Sequence, residues 1–165
     1  MGLFNFIKNA GAKIFGSAKE TKHETAKVDG EKDQTEREEN KRAARKLEDT
    51  IRDLNLRVDG LRVEIEGAMA TIWGKALDQA TREKVVLVVG NVEGIAQVDD
   101  NMEVENKEPE AVFHTVETGD TLSKIAKEHY GNANRYHEIF EANKPMLKDP
   151  DKIYPGQVLR IPAQK

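Results

Sequence analysis

The sequence predicts an α+β chain built from two small modules behind a short amphipathic segment. Apolar residues recur at three- and four-residue steps in some stretches and alternate strictly with polar ones in others, the signatures of helices and half-buried strands. These stretches come in the order helix, strand, strand, helix, strand, and then, past a polar break at Asn106 to Glu110 that carries Pro109, in the order strand, helix, helix, strand. A length of 165 residues accommodates two such modules, neither with a large core.

At the N-terminus, Leu3, Phe6, Ile7, Ala10 and Ile14 follow helical spacing with Lys8 and Lys13 off the stripe, so residues 1–16 are expected to form an amphipathic helix. Phenylalanines are costly to leave in water, so this segment must cover something: the protein's own core, a membrane surface or part of a ligand site. Residues 17–39 are almost wholly charged or small, with Val28 the one sizeable apolar side chain, and are expected to be a linker whose end runs into the next helix.

The first module, expected over residues 40–105, opens on a helix with Ala44, Leu47, Ile51 and Leu54 along its apolar stripe. Its basic cluster Lys41, Arg42, Arg45 and Lys46 is flanked by Glu38, Glu39, Glu48 and Asp49 at helical spacing, which reads as a salt-paired, solvated face. Asp59-Gly60 is expected to turn the chain. Leu61, Val63 and Ile65 then alternate with Arg62, Glu64 and Glu66, and Gly67 reverses the strand into Met69 to Gly74. Leu77 to Val89 reads as a helix closed by Gly90, with a last turn weakened by its β-branched residues. The final strand presents Ala96, Val98, Met102 and Val104 on one face.

Residues 106–111 form the expected interdomain linker, and residues 112–163 the second module. It starts on the strand Phe113 to Val116 and turns at Glu117-Thr118-Gly119-Asp120; Asp120 or Thr121 caps a helix that carries Leu122, Ile125 and Ala126 and stops near Gly131. A further helix holds Tyr136, Ile139 and Phe140 and ends before Lys144-Pro145. Tyr154-Pro155-Gly156-Gln157 suits a type II turn into the closing strand Val158 to Ile161.

Several function classes find little support. A net charge of -4 argues against a nucleic-acid partner, and zero Cys removes disulfides, thiolate metal sites and thiol nucleophiles. Ser17 and Ser123 show no spacing to a His–Asp relay, and His129 and His137, eight apart across the Gly131 break, lack the arrangement of a helical zinc motif. Pro150 and Lys152-Ile153 spoil Asp149-Pro150-Asp151 as a calcium loop. Trp73 reads as core or edge-strand packing. No apolar run is long enough to span a membrane, and Lys8 interrupts the N-terminal apolar stretch before signal-peptide length, so the chain is expected to be cytoplasmic. Phe6 stands where a myristoylation motif wants Ser or Thr. A non-enzymatic, monomeric binding protein is expected.

The second module closely resembles a LysM domain (β-α-α-β), through His114-Thr115-Val116, Gly119-Asp120-Thr121-Leu122, Tyr130-Gly131, Asn143 and Ile153-Tyr154-Pro155-Gly156-Gln157 running on to Pro162. The first resembles a BON domain (α-β-β-α-β), most tellingly over Val88 to Ile95 and Val98-Asp99-Asp100. Met-Gly-Leu-Phe-Asn-Phe at the N-terminus followed by these two domains is similar, nearly end to end, to the small cytoplasmic potassium-binding proteins of bacteria; the chain departs from them between Gly16 and about Asn40, where it is longer and more charged. The resemblance implies K⁺ as ligand, compaction on binding, a sensor or buffer role, and ligation by the backbone carbonyls of Ile7, Ala10, Gly90, Val92, Gly94 and Ile95. Neutral carbonyls suit a large monovalent cation, and they become available at helix ends and glycine bends. The residues alone leave open a plain helix cap and a turn with water-satisfied carbonyls. The rival reading is a cell-envelope binder of peptidoglycan or N-acetylglucosamine polymers through the LysM groove between Glu117–Leu122 and Ile153–Val158, against which stands the expected cytoplasmic location. An unidentified protein partner and membrane-surface attachment are further alternatives, the latter weakened by the acidic balance.

Overall fold

The computed structural model describes residues 2–6 and 29–163. A four-stranded sheet in the order β1-β4-β3-β2 and a two-stranded sheet β5-β6 carry the two modules. The elements are β1 (Gly2–Asn5), α1 (Asp29–Asp53), β2 (Val58–Glu66), β3 (Met69–Asp78), α2 (Gln79–Gly90), β4 (Gln97–Asn106), β5 (Val112–Thr115), α3 (Leu122–Tyr130), α4 (Tyr136–Ala142) and β6 (Val158–Ile161).

The first described residues correct the expectation of an N-terminal helix. Gly2–Asn5 pairs antiparallel with β4, Leu3 opposite Asp99 and Phe4 opposite Val98. Phe4 and Phe6 thereby lie on one face of the sheet, Phe6 buried and Phe4 half-buried, with Leu3 and Asn5 exposed. A helix would set the two rings about 200° apart. The strand brings both to apolar surface and satisfies the free edge of β4, so alternation wins over the three- and four-residue spacing. The remainder of the expected helix, with Ile7, Ala10 and Ile14, lies outside the described residues.

Three boundaries also differ. α1 starts at Asp29, inside the stretch expected as linker. Asp59-Gly60 lies within β2, at a bulge where the pairing with β3 shifts between Asp59 and Arg62. The bulge presses on β3 at Gly74, where a Cβ would approach Val58 Cγ1 to 2.5 Å. β3 itself continues through Leu77, and α2 begins only where the Asp78 carboxylate accepts a hydrogen bond from Thr81 N–H at 2.7 Å.

α2 is the parallel crossover between β3 and β4. Its run Val85-Val86-Leu87-Val88-Val89 stays helical despite strand-favouring side chains, because Val85, Val86, Leu87 and Val89 are all buried at once, against the sheet on one side and the second module on the other. β4 turns Val98, Asp100 and Met102 inward. Asp100 is held there by Arg82 Nε at 2.7 Å and by Met102 N–H at 2.9 Å, which satisfies a carboxylate otherwise stranded in the core. Trp73, half-buried on β3, packs under the Arg62 guanidinium across the hairpin.

In the second module, Thr121 caps α3 by accepting from Lys124 N–H, and Gly131 ends it with a φ of +73°. Tyr154 to Gln157 makes the expected turn, with Gly156 at a φ of +90° and Gln157 N–H on Tyr154 C=O at 3.1 Å. The buried Asn143 side chain then ties α4 to β6, donating to the carbonyls of Ile139 and Arg160 and accepting from Arg160 N–H. The modules share apolar surface: Val158 of β6 belongs to the core of the first, and the rings of Phe4 and Phe113 stand 5.0 Å apart.

Candidate functional site

α2 ends on glycine for a steric reason. A Cβ on Gly90 would lie 2.1–2.2 Å from atoms of the Phe6 ring, so the bare backbone is the seat on which that ring rests. Phe6 N–H donates to Ala96 C=O at 2.8 Å, and the residue that precedes Ile7 is thus fastened beside the segment Gly90 to Ile95 at two points.

Asn91 follows. Its N–H closes the helix on Leu87 C=O at 3.0 Å. Its side-chain amide donates to Val158 C=O at 2.9 Å and its carbonyl oxygen accepts from Val158 N–H at 2.8 Å, the pair of bonds that a neighbouring strand would make. Val92 N–H reaches back to Val89 C=O at 3.3 Å, and Ile95 N–H closes on Val92 C=O at 3.2 Å. Between them Gly94 takes a φ of +102°, a conformation that a side chain would strain. Val92 and Ile95 sink their side chains into the core, 4% and 0% exposed, so the turn's backbone is held in place from below.

The backbone at this corner carries a dipole. Helix carbonyls without intrahelical partners give the C-terminal end of α2 a partial negative charge, and no basic side chain sits in its last turn to neutralise it. Four of the residues singled out from sequence, Gly90, Val92, Gly94 and Ile95, therefore share one short turn. Ile7 and Ala10 lie outside the described residues. Sequence reasoning missed Phe6 and Asn91 as builders of this corner. Phe6 was legible only as an apolar residue in need of cover, and an Asn after a helix-ending glycine gives no sign of a partner 67 residues away.

Beside the expected glycan groove, Val116, the residue just before its first loop, is bonded to its second, with Val116 N–H on Gln157 C=O and Gly156 N–H on Val116 C=O, both at 2.8 Å. Among the described residues, no helix is long and apolar enough to cross a membrane.

Comparison with known proteins matches the BON domain model over residues 39–106 and the LysM domain model over residues 114–162. Potassium binding protein Kbp of Escherichia coli O6:H1 is 44% identical over 165 residues, covering 99% of this chain and all of that protein. The chain belongs to the Kbp family. An uncharacterized protein of Deinococcus radiodurans is 49% identical over 50 residues, which is 30% of this chain and 19% of that protein. In this Kbp-family chain the turn Gly90 to Ile95 falls inside the BON match, and the strand that Asn91 holds falls inside the LysM match, so the candidate corner stands at the seam of the two domains.

Proposed function

We propose that this chain is a cytoplasmic, non-enzymatic potassium-binding protein, a sensor or buffer in which K⁺ is held by the main-chain carbonyls of Ile7, Ala10, Gly90, Val92, Gly94 and Ile95. The observation that carries the reading is the full-length identity to a protein named for potassium binding. The geometry supports it independently. A turn of fixed neutral carbonyls at the negative end of a helix suits an ion that is bound by replacing its hydration shell, whereas a cluster of carboxylates would favour smaller or divalent ions. Val92 C=O already accepts from Ile95 N–H and offers its second lone pair.

Ligands drawn from the N-terminal segment and from a turn some 80 residues later (about 80 by position) couple ion binding to docking of that segment. The ion then stabilises the compact monomer and not the open one. Binding to the native state alone contributes about 2.7 kcal/mol at a ligand concentration one hundred times Kd.

Thermal unfolding in KCl against NaCl at equal ionic strength tests this. A midpoint that is higher in KCl and climbs with its concentration is the expected result. Equal midpoints in the two salts would overturn it, and a rise caused instead by N-acetylglucosamine oligomers would shift the assignment to the LysM groove.

A further inference from the structure

Away from the α2 corner, the LysM domain gathers the side chains of a different kind of cation site. His114 on β5 and His129 in the last turn of α3 face each other edge to face, ring centroids 5.2 Å apart, with His129 Nε2 3.2 Å from His114 Nδ1. A carboxylate oxygen of Glu128 completes a trio whose ligand atoms all lie within 4.8 Å of one another. The other ring nitrogen of His114, Nε2, stands 3.2 Å from Asp120 Oδ2. Asp120 is itself fixed by Glu117 N–H at 3.0 Å; this bond first, and the His114 contact second, hold its carboxyl below its ordinary range.

We propose that His114 Nδ1, His129 Nε2 and Glu128 form a site for a borderline-soft divalent metal ion of the zinc class, with Asp120 as the positioning residue that orients His114. Two nitrogens bound at about 2.0–2.1 Å in tetrahedral geometry stand about 3.3 Å apart, close to the separation already present. An ion there replaces the direct contact between the two rings. A carboxylate that accepts from the far N–H of a ligating imidazole sets its tautomer and raises its basicity, the part that Asp120 plays here. Two imidazoles and a carboxylate select zinc-like ions over magnesium or calcium, which prefer all-oxygen shells, and Glu128 with Asp120 supplies two negative charges against the ion's two positive ones. Three protein ligands leave the fourth position to water. Glu128 is exposed, so its side chain is free to swing the remaining distance. This site is independent of the K⁺ reading, since it uses side-chain nitrogens on another domain.

The test is zinc titration of the chelator-stripped full-length protein in KCl buffer against a chromophoric chelator, with cobalt(II) absorption as a report on tetrahedral nitrogen and oxygen ligation. One equivalent is expected. His114→Gln and His129→Gln should each weaken binding at least about tenfold, as expected for loss of a ligand, and Asp120→Asn by about 10- to 100-fold with unchanged stoichiometry. The chain's other two histidines serve as controls, so His23→Gln and His137→Gln should bind as the parent does. Should a histidine variant fail to fold, Glu128→Gln, at an exposed helix position, reads the same site. Absence of stoichiometric zinc, or binding undisturbed by Glu128→Gln and His129→Gln together, would overturn the proposal, as would a loss confined to His23→Gln or His137→Gln.

Discussion

The two ends of α2 are fastened to the same strand of the LysM domain by opposite means. Toward its start, Glu83 accepts from Arg160 Nε at 3.2 Å and from Ala111 N–H, with both charged side chains nearly sealed from water, 6% and 11% exposed. At its end, Asn91 joins Val158, two residues before Arg160, through two neutral hydrogen bonds, and Phe6 covers a glycine. A buried ion pair gains little over an apolar contact, yet it is punishing to break, so the charged end fixes how the domains are set against each other. The neutral end carries no basic side chain in the helix's own last turn. One helix thus joins the domains through a charged pair toward its start and through neutral hydrogen bonds at its end.

Breaking the charged end should have the largest effect. Glu83→Ala strands the Arg160 guanidinium in the interface and removes the acceptor for Ala111 N–H, and is expected to lower the free energy of unfolding by about 3–5 kcal/mol in urea titrations. A change below 1 kcal/mol (about the worth of an exposed pair) would mean that this end is wetter than its geometry indicates.

At the neutral end the expected loss is smaller. Gly90→Ala drives a methyl into the Phe6 ring and should cost about 1–3 kcal/mol, the range for forced overpacking. The same variant should lose most of the midpoint difference between KCl and NaCl, whereas Glu83→Ala should keep it. That contrast separates the two roles.

The smallest effect concerns Lys84, beside Glu83. Burial first, and the nearby charge of Arg160 second, depress the pKa of Lys84. A lysine whose pKa is lower in the folded state than in the unfolded one costs stability while both states are protonated. The cost fades as pH rises through the lowered folded value and is gone above the unfolded one, near about 10.4. Lys84→Met is therefore expected to raise the melting midpoint slightly at neutral pH, with the advantage shrinking as the buffer is made alkaline.

Legibility from sequence followed the range of the interaction. The Val63 and Ile65 alternation, the Leu47 and Ile51 stripe and the Thr121 cap are settled within a few neighbours, and each stands as the residues indicate. The strand at Gly2–Asn5 was misread because Phe4 and Phe6 satisfy a two-residue repeat while Leu3, Phe6 and Ile7 satisfy a helical one; only the open edge of β4, more than 90 residues on, decides between them. The turn Gly90 to Ile95 was visible through its glycines. Its partners were not, since neither the Phe6 seat nor the Asn91 bonds leave a local mark. For the same reason the sequence pairs His129 with His137 on spacing alone, whereas the fold sets it against His114 on another element.

The position of β1 has a consequence for how the chain is made and handled. Its residues are synthesised well before the strand they join, β4, which begins at Gln97. Until then the leading phenylalanines have no sheet to complete, and the nascent chain must carry them unhoused. An addition next to Gly2 therefore meets the sheet at the end of β1, where Gly2 lies opposite Asp100.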